Sequence, residues 1–426
     1  MSDSGVSERA SDEVTNPRPL YFDWAATAPL RDEARARLLE LLAPEFGNAA
    51  SAHAAGRRAH AALTTARRSI AEALGVARDD VVFTGNGSEA NLLALVGAAR
   101  ALPRERRHVL VSPIEHPSVL EPLLKLEQRG EIELEELAVD RDGRVDPGEV
   151  AARLKPSTGL VSVMFASHEL GTIEPVAEIA SIAHARGALV HSDASQALGR
   201  VPSRVDLLGV DLLTASAHKF GGPRGVGLLV RRGPGVSLES PLAAGRQERG
   251  LRGGTEDVAG CAAAAAALHA ALAQQAELAS RLAELAAFFV GELVRRLPDA
   301  TLHSPRARVV PGLVNFSLPD LPGAWVVAAL DQRGVAASHG AACSSLAALP
   351  SHVLAAVGAG SRARNAVRVS MGWTTTRADV QELIARLCAA VAALRGGVVT
   401  LRGASTFSPS QNRGNPRPLR VSRGRT

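Results

Sequence analysis

The sequence has few aromatic residues, few lysines and no long apolar run. Phe, Trp and Tyr make up 3% of its 426 residues, so an apolar core must be built mainly from Ala, Val and Leu. No uninterrupted apolar stretch reaches the ~18 residues that a membrane span needs, and the polar, acidic N-terminus is unlike a signal peptide. We therefore expect a cytoplasmic protein with no membrane partner.

Cysteine is also scarce. The three cysteines, Cys261, Cys343 and Cys388, are an odd number without CxxC spacing, which argues against a disulfide framework and against a metal site. Cys261 and Cys388 lie in Ala- and Leu-rich helical runs and are predicted to be inert core residues. Cys343 lies instead in a loop-like run of small residues, which suits a reactive position.

Arginines near the C-terminus account for the net charge of +5. Residues 396–426 contain six arginines and no acidic residue, so the rest of the chain is close to neutral. This segment is rich in Ser, Pro, Gly and Asn and is predicted to be a disordered tail. Because the basic charge belongs to the tail, we expect no direct nucleic-acid partner for the folded body.

Helical and β-branched stretches alternate from about residue 20 to residue 257. Their spacing predicts βαβ units and an α/β fold, with a mostly parallel sheet flanked by helices. A long Ala- and Leu-rich helix over 258–297, short strands and a last helix then indicate a smaller α+β domain. The predicted organisation is a disordered lead (1–19), a large domain (20–257), a small domain (258–395) and the basic tail (396–426).

Polar motifs follow four of the predicted strands, where ligands bind in parallel sheets. In VVFTGNGSEANLLAL a glycine turn leads into a helix, whose first amides and Ser88 can hold a phosphate. This turn also fits the dinucleotide pattern GxGxxA, but the acidic residue expected about 20 positions later is absent. The other three motifs are HSDASQ, with Asp193 and Gln196; SAHKFGG, with Ser216, His218 and Lys219; and EHPSV, with His116.

Together these motifs fit pyridoxal phosphate. Only three of the 48 basic residues are lysines, and Lys219 lies among small residues and glycines, where a nucleophilic amine is the natural interpretation. The ring nitrogen of the cofactor needs a carboxylate, which Asp193 supplies. A nicotinamide cofactor explains neither residue. Asp193 also suits a helix N-cap, and His116 also suits a capping or surface position.

The chain resembles the cysteine desulfurases of the NifS/IscS type, in the class V branch of the fold-type I pyridoxal phosphate enzymes. The resemblance covers about residues 20–394 and rests on colinear motifs that include YFDWAATAPL, FGNAASAH, ASHELGTIEP, HSDASQALGRVP, SAHKFGGPRGVG, ERGLRGGT, SHGAACSS and VRVSMGWTTT. It implies conversion of L-cysteine to L-alanine and transfer of sulfur to an acceptor protein. The sulfur would serve iron–sulfur clusters, other sulfur-containing cofactors or tRNA.

The resemblance also implies how the cofactor is held. Lys219 would form the Schiff base, Asp193 would pair with the pyridine nitrogen, and His116 would stack on the ring and move protons. Gln196 would bond the phenolic oxygen. The residues implied to hold the phosphate are Gly87, Ser88, Ser216 and His218.

Further roles are implied outside these motifs. Thr255 matches a threonine that reaches the phosphate in the neighbouring subunit, which implies a homodimer. Arg368 matches the arginine that binds the substrate carboxylate, and Cys343 matches the nucleophile that stores sulfur as a persulfide. His168 replaces an asparagine that contacts cofactor and substrate. We expect His168 to take over those contacts, the alternative being that it only fills space beside the ring.

Two other functions remain open at this stage. The first is a related class V lyase or transaminase, for example one acting on selenocysteine, in which Cys343 is vestigial. The second is a non-catalytic paralogue that retains the fold and binds partners through its tail. Cofactor colour separates either enzyme from the paralogue, and sulfide release that depends on Cys343 separates a desulfurase from a lyase.

Overall fold

The computed structural model describes residues 18–42, 47–340 and 350–397, so Cys343 and the predicted tail from residue 398 onwards lie outside the described residues. The strands are β1 (Leu20–Tyr21), β2 (Val81–Thr84), β3 (His108–Val111), β4 (Glu133–Glu136), β5 (Thr158–Ser162), β6 (Leu189–Asp193), β7 (Leu212–Ser216), β8 (Gly227–Arg231), β9 (Thr301–Leu302), β10 (Leu313–Ser317), β11 (Val335–Ala336) and β12 (Ala366–Ser370). The helices are α1 (Asp32–Leu42), α2 (Ala54–Leu74), α3 (Gly87–Ala101), α4 (Pro117–Gln128), α5 (Pro147–Arg153), α6 (Val176–His184), α7 (Val205–Leu208), α8 (Val258–Ala273), α9 (Gln275–Arg296), α10 (Gly323–Asp331), α11 (His352–Ala356) and α12 (Arg377–Arg395).

The main sheet has seven strands in the order β2-β8-β7-β6-β5-β3-β4. Strands β3 to β7 run parallel to one another, and β8 is antiparallel to both of its neighbours. The central strands are buried along their whole length, as in LLTAS of β7, because helices cover both faces of the sheet. The mostly parallel α/β sheet predicted from the sequence is confirmed.

A second packing unit is built around the antiparallel strands β9, β10 and β12. Helices α9 and α12 pack on it through apolar residues such as Phe289 and Leu383. The N-terminal segment belongs to this unit as well, since Leu20 pairs with Val335 of β11 and Phe22 is buried in the same core. The chain therefore starts in the smaller unit before it enters the larger one.

The predicted single helix over 258–297 is wrong, because the chain forms α8 and α9 with a bend of 68° between them. Helix α8 is buried in the core of the large sheet, together with residues of α1 and α2, and carries the buried Cys261 there. Helix α9 instead packs in the smaller unit. We therefore propose a domain boundary near Gln274 in place of residue 257. In the described ranges no single helix combines the length and apolar character needed to cross a membrane.

Candidate active site

A cavity of about 210 Å³ lies at the carboxyl ends of β2, β3, β5, β6 and β7. Parallel strands bring the residues that follow them to one edge of the sheet, which explains why motifs far apart in the chain meet here. Of the predicted site residues that the structure describes, the cavity gathers all except Thr255. Those that line it are Gly87, Ser88, His116, His168, Asp193, Gln196, Ser216, His218, Lys219 and Arg368.

The carboxylate of Asp193 is held by two donors at the end of β6. Its Oδ1 accepts the backbone N–H of Ser195 at 2.8 Å, and its Oδ2 accepts the side-chain amide of Asn91 at 2.8 Å. The amide of Asn91 also donates to Ser118 Oγ at 2.9 Å. No helix begins at Asp193 in the described chain, so the N-cap alternative is wrong.

Sequence reasoning missed Asn91, Ser118 and Ser195. The signal was present for Asn91, because it lies four residues after Gly87 in α3 and so shares a helix face with it. Ser195 follows Asp193 by two residues, the spacing at which a carboxylate accepts its neighbour's backbone N–H.

Lys219 lies in a short turn directly after β7. Its ammonium donates to the backbone carbonyls of Ala25 and Ala26, at 2.6 and 2.9 Å. The side-chain amide of Gln196 donates to the same Ala25 carbonyl at 2.8 Å. The N-terminal motif DWAAT therefore forms the wall that orients both predicted cofactor-binding side chains.

Another part of the cavity lining, around the start of α3, suits an anion. Helix α3 begins at Gly87, and the Gly87 N–H donates to Ser216 Oγ at 3.4 Å. A Cβ at Gly87 would lie 3.1 Å from the Cβ of Ser216, so glycine keeps this cradle open. His218 pairs with Thr27 Oγ1 at 3.0 Å, and its burial, together with the nearby Lys219, lowers its pKa to about 4. The N-terminus of a helix favours a phosphate, because its backbone N–H groups and its dipole both attract an anion.

His116 both caps α4 and lines the cavity. Its Nδ1 accepts the backbone N–H of Ser118 at 3.1 Å, which fixes the ring at the helix start. Burial lowers the pKa of His116, so the imidazole is neutral at neutral pH. The capping role and the role in the cavity therefore coexist, where the sequence presented them as alternatives.

Arg368 reaches the cavity from β12 of the smaller unit and is 2% exposed. One Nη donates to the His168 carbonyl at 2.8 Å and the other to Asp23 Oδ1 at 2.9 Å. Its Nε has no partner among the residues described. The guanidinium is thus held at both ends and keeps a donor for an incoming carboxylate.

His168 lines the cavity with both ring nitrogens unpartnered within the described part of the chain. Its ring centroid lies 5.3 Å from that of His116, at an interplanar angle of 72°. Burial lowers the pKa of His168 well below its usual value, and His116, His352, Arg368 and Lys219 act in the same direction. The ring is neutral and faces the cavity with unused hydrogen-bonding capacity.

Thr255 lies outside this cavity and is exposed. Cys343 falls within 341–349, outside the described residues, although Gly340 and Ser351 on either side are described. The roles implied for these two residues stay predictions.

The Aminotransferase class-V family profile matches residues 20–383. The chain belongs to this family. A protein named cysteine desulfurase IscS from Dictyoglomus turgidum is 41% identical over 364 residues, which cover 85% of this chain and 92% of that protein. A protein of the same name from Clostridium botulinum is 34% identical and covers 86% of this chain and 93% of its own length.

Solved structures of similar proteins agree with the fold. A NifS-like protein superposes with a TM-score of 0.82 at 31% identity and covers 88% of this chain and 99% of its own. DndA from Streptomyces lividans gives a TM-score of 0.72 at 34% identity and covers 81% of this chain and 97% of its own. The predicted family and fold are confirmed.

Class-V enzymes of the desulfurase type use pyridoxal phosphate, and the cavity of this chain fits that cofactor. Lys219 offers the amine, Asp193 the carboxylate for a ring nitrogen, and the start of α3 the amides for a phosphate. The absence of a Cβ at Gly87 leaves room at the phosphate end. The predicted cofactor is confirmed.

Proposed function

We propose that this class-V enzyme is a cysteine desulfurase that converts L-cysteine to L-alanine. The observation that carries the proposal is the meeting of Arg368, with its unused Nε, and Lys219 in one cavity with Asp193 and His116. This arrangement suits an amino-acid substrate whose carboxylate is clamped while its amine engages the cofactor. The relatives named cysteine desulfurase IscS support cysteine as that substrate.

Bound pyridoxal phosphate supplies an electron sink for the bonds at the substrate α-carbon. Asp193, with both oxygens engaged by donors, is the charged partner for the ring nitrogen. Nδ1 of the neutral His116 ring accepts the Ser118 N–H, so the ring hydrogen lies on Nε2 and His116 can act as a hydrogen-bond donor or general acid in the cavity. Arg368 orients the substrate carboxylate, because His168 and Asp23 already fix its guanidinium plane.

Sulfur transfer would follow at Cys343. We propose that its thiolate takes the substrate sulfur as a persulfide and passes it to an acceptor protein, for iron–sulfur cluster assembly or another sulfur-containing product. The Cβ–S bond of the substrate breaks as the S–S bond forms, and its electron pair stays with the carbon skeleton. That skeleton takes up a proton at Cβ and leaves as alanine, so the sulfur is oxidised and the carbon is reduced without an added oxidant. We also propose a cytoplasmic homodimer in which Thr255 reaches the partner's cofactor.

The direct test measures alanine and sulfide formed from L-cysteine in the presence of a thiol reductant, with Cys343→Ser as the variant. We expect Cys343→Ser to keep the cofactor and bind cysteine but to lose persulfide and sulfide, because a hydroxyl is a far poorer nucleophile towards sulfur. Cys388→Ser is the matched control, since Cys388 is half-buried in α12 and lies outside the cavity.

Other results would point elsewhere. Unchanged sulfide release in Cys343→Ser would replace the proposal with a lyase. A purified protein that takes up no pyridoxal phosphate would indicate the non-catalytic paralogue.

A further inference from the structure

Two neighbouring buried side chains, His168 and Glu169, leave hydrogen-bonding atoms unused beside the cavity. Nε2 of His168 is 3.7 Å from Oε1 of Glu169. Within the described ranges, neither of these atoms has a hydrogen-bond partner, and Nδ1 of His168 has none either. Buried polar atoms are normally satisfied, so this arrangement indicates a pair that completes its bonding when the cavity is filled.

Glu169 is held so that one oxygen faces His168. Its Oε2 accepts a hydrogen bond from Ser351 Oγ at 2.6 Å, and its backbone carbonyl accepts the side-chain amide of Asn315 at 3.2 Å. Oε1 is the oxygen that lies near the imidazole, and these contacts do not engage it. The two atoms need to approach by only roughly 0.5–1 Å to form a hydrogen bond.

Charged and titratable neighbours determine where the protons of this pair reside. His116, His352, Arg368 and Lys219 surround His168, and His352 and Arg368 also face Glu169. Burial raises the pKa of Glu169, while burial, together with the electrostatic contributions of its four neighbours, lowers the pKa of His168. Burial therefore favours the uncharged form of both partners, a carboxylic acid beside a neutral imidazole.

We propose that Glu169 is a positioning residue that sets the tautomer of His168. When Glu169 is protonated, its carboxylic acid donates to Nε2, so Nδ1 carries the ring hydrogen and donates to an oxyanion in the cavity. When Glu169 loses its proton to solvent at higher pH, the carboxylate accepts from Nε2–H instead. The ring hydrogen then exchanges from Nδ1 to Nε2, and the donor towards the oxyanion is lost.

The inference deepens the proposed function and rests on it, because the oxyanion belongs to the cofactor or to the substrate. The phenolic oxygen of the cofactor and the α-carboxylate of the amino acid share this chemistry. His168 would donate to either one, and the two sources are separated by adding an amino acid to the holoenzyme.

The tautomer is measured by nitrogen-15 NMR of histidine-labelled holoenzyme, with His168→Asn to identify the His168 signals. We expect wild-type His168 to carry its hydrogen on Nδ1 at the acidic end of the titration and on Nε2 at the alkaline end. Glu169→Gln should abolish this pH-dependent exchange, since an amide does not titrate. Glu174→Gln is the matched control, because Glu174 is also buried but accepts the Val145 N–H, outside the cavity lining.

The cofactor absorbance gives a second measurement. Glu169→Gln should move the pH midpoint of the absorbance by roughly one unit in the wild-type background and leave it unmoved in a His168→Asn background. If the midpoint shifts in the absence of an amino acid, the oxyanion that His168 contacts is the phenolic oxygen of the cofactor. If the midpoint shifts only with saturating L-alanine, the oxyanion is the α-carboxylate of the amino acid.

Two results would overturn the proposal. One is a His168 tautomer that is the same across pH in wild type and Glu169→Gln. The other is an equal absorbance shift with and without His168, which would make Glu169 purely structural. Failure of the proposed function would be seen differently from failure of this inference. In that case the wild-type enzyme would show no Cys343-dependent sulfide release, whatever the tautomer of His168.

Discussion

Lys219 is oriented by backbone atoms, since the carbonyls of Ala25 and Ala26 accept its ammonium hydrogens. We expect Lys219→Ala to lose the covalently attached cofactor and its absorbance, because the other two lysines lie outside the cavity. Lys219→Arg should also lose the covalently attached cofactor, since a guanidinium does not form a Schiff base at neutral pH. This variant keeps a cation beside the carbonyls of Ala25 and Ala26. Absorbance after borohydride reduction and gel filtration measures the attachment.

Lys125→Ala serves as the control, because Lys125 is exposed on α4 and far from the lining residues. If Lys219→Ala retained cofactor attached after reduction, another amine would have to be the attachment site, and the assignment of Lys219 would be abandoned.

Arg368 offers a second prediction at the same scale. Arg368→Lys keeps the positive charge but loses the planar fork that now donates to His168 O and Asp23. We expect KM for cysteine to rise tenfold or more, roughly the worth of one charge-assisted hydrogen bond, with a smaller effect on kcat. Steady-state kinetics measure both constants. A fall in kcat with an unchanged KM would show that Arg368 does not bind the substrate in its ground state.

The placement of side chains in one cavity could be predicted where a motif lies at the end of a strand, as for Asp193 and Lys219, because parallel strand ends meet at one edge. The contacts of Lys219 with the carbonyls of Ala25 and Ala26 could not be predicted, because every residue has a backbone carbonyl and the residue type does not show which one faces the site. His116 shows a different limit. Its position after β3 suggested either a cap or a site residue, and only the structure shows that one ring does both.

At the scale of elements, a buried ion pair joins α2 to a turn before α8. Arg67 donates from both Nη atoms to Glu248, at 2.6 and 2.7 Å, and the Phe83 N–H of β2 donates to the same carboxylate at 3.1 Å. Glu248 and Arg249 have φ values of 44° and 57°, in the left-handed region that favours glycine. The pair holds this unfavourable turn against the sheet.

We expect Glu248→Ala to lower the free energy of unfolding by about 3–5 kcal/mol, because it leaves the guanidinium of Arg67 buried without its counter-ion. Denaturant unfolding of the holoenzyme measures the loss. Glu292→Ala on α9 is the control, since Glu292 pairs with Arg295 and Arg296 at the surface and its removal should leave stability nearly unchanged. Equal losses of unfolding free energy in both variants would mean that the buried pair contributes no more to stability than the surface pairs of Glu292.

Two elements show why local pattern has limits. Strand β4 was not predicted, because ELEE has no apolar alternation; its glutamates instead bind cations such as Lys155 along the edge of the sheet. Helices α8 and α9 were predicted as one helix, because Ala- and Leu-rich sequence continues through Gln274. The bend allows α8 and α9 to pack in two different cores, which depends on tertiary contacts that a helical pattern does not encode.

At the scale of the whole molecule, the cavity lies where the two packing units meet. Arg368 comes from the smaller unit, whereas Lys219 and Asp193 come from the large sheet. The N-terminal segment connects them, since Phe22 is buried in the smaller core and the carbonyl of Ala25 binds Lys219. A relative shift of the two units would therefore change the distance between the guanidinium of Arg368, proposed to bind the substrate, and Lys219, proposed to bind the cofactor.

Thr255 extends this argument to the proposed homodimer, because it is exposed and lies outside the cavity of its own chain. We expect Thr255→Val to weaken cofactor binding roughly tenfold, the worth of one hydroxyl hydrogen bond to a phosphate. A mixed dimer of Lys219→Ala and Thr255→Val subunits separates the two possible arrangements. If Thr255 serves the partner's site, one site of the mixed dimer carries both substitutions and the other carries neither.

That mixed dimer should regain about half of the wild-type cofactor binding and activity per dimer, because one of its two sites is intact. If Thr255 serves its own site, one site lacks Lys219 and the other lacks the threonine hydroxyl, so no intact site forms. Tandem-tag purification isolates the mixed dimer, and cofactor titration with absorbance counts the tight sites. Absence of any tight site would limit Thr255 to its own subunit and remove the reason for a shared active site.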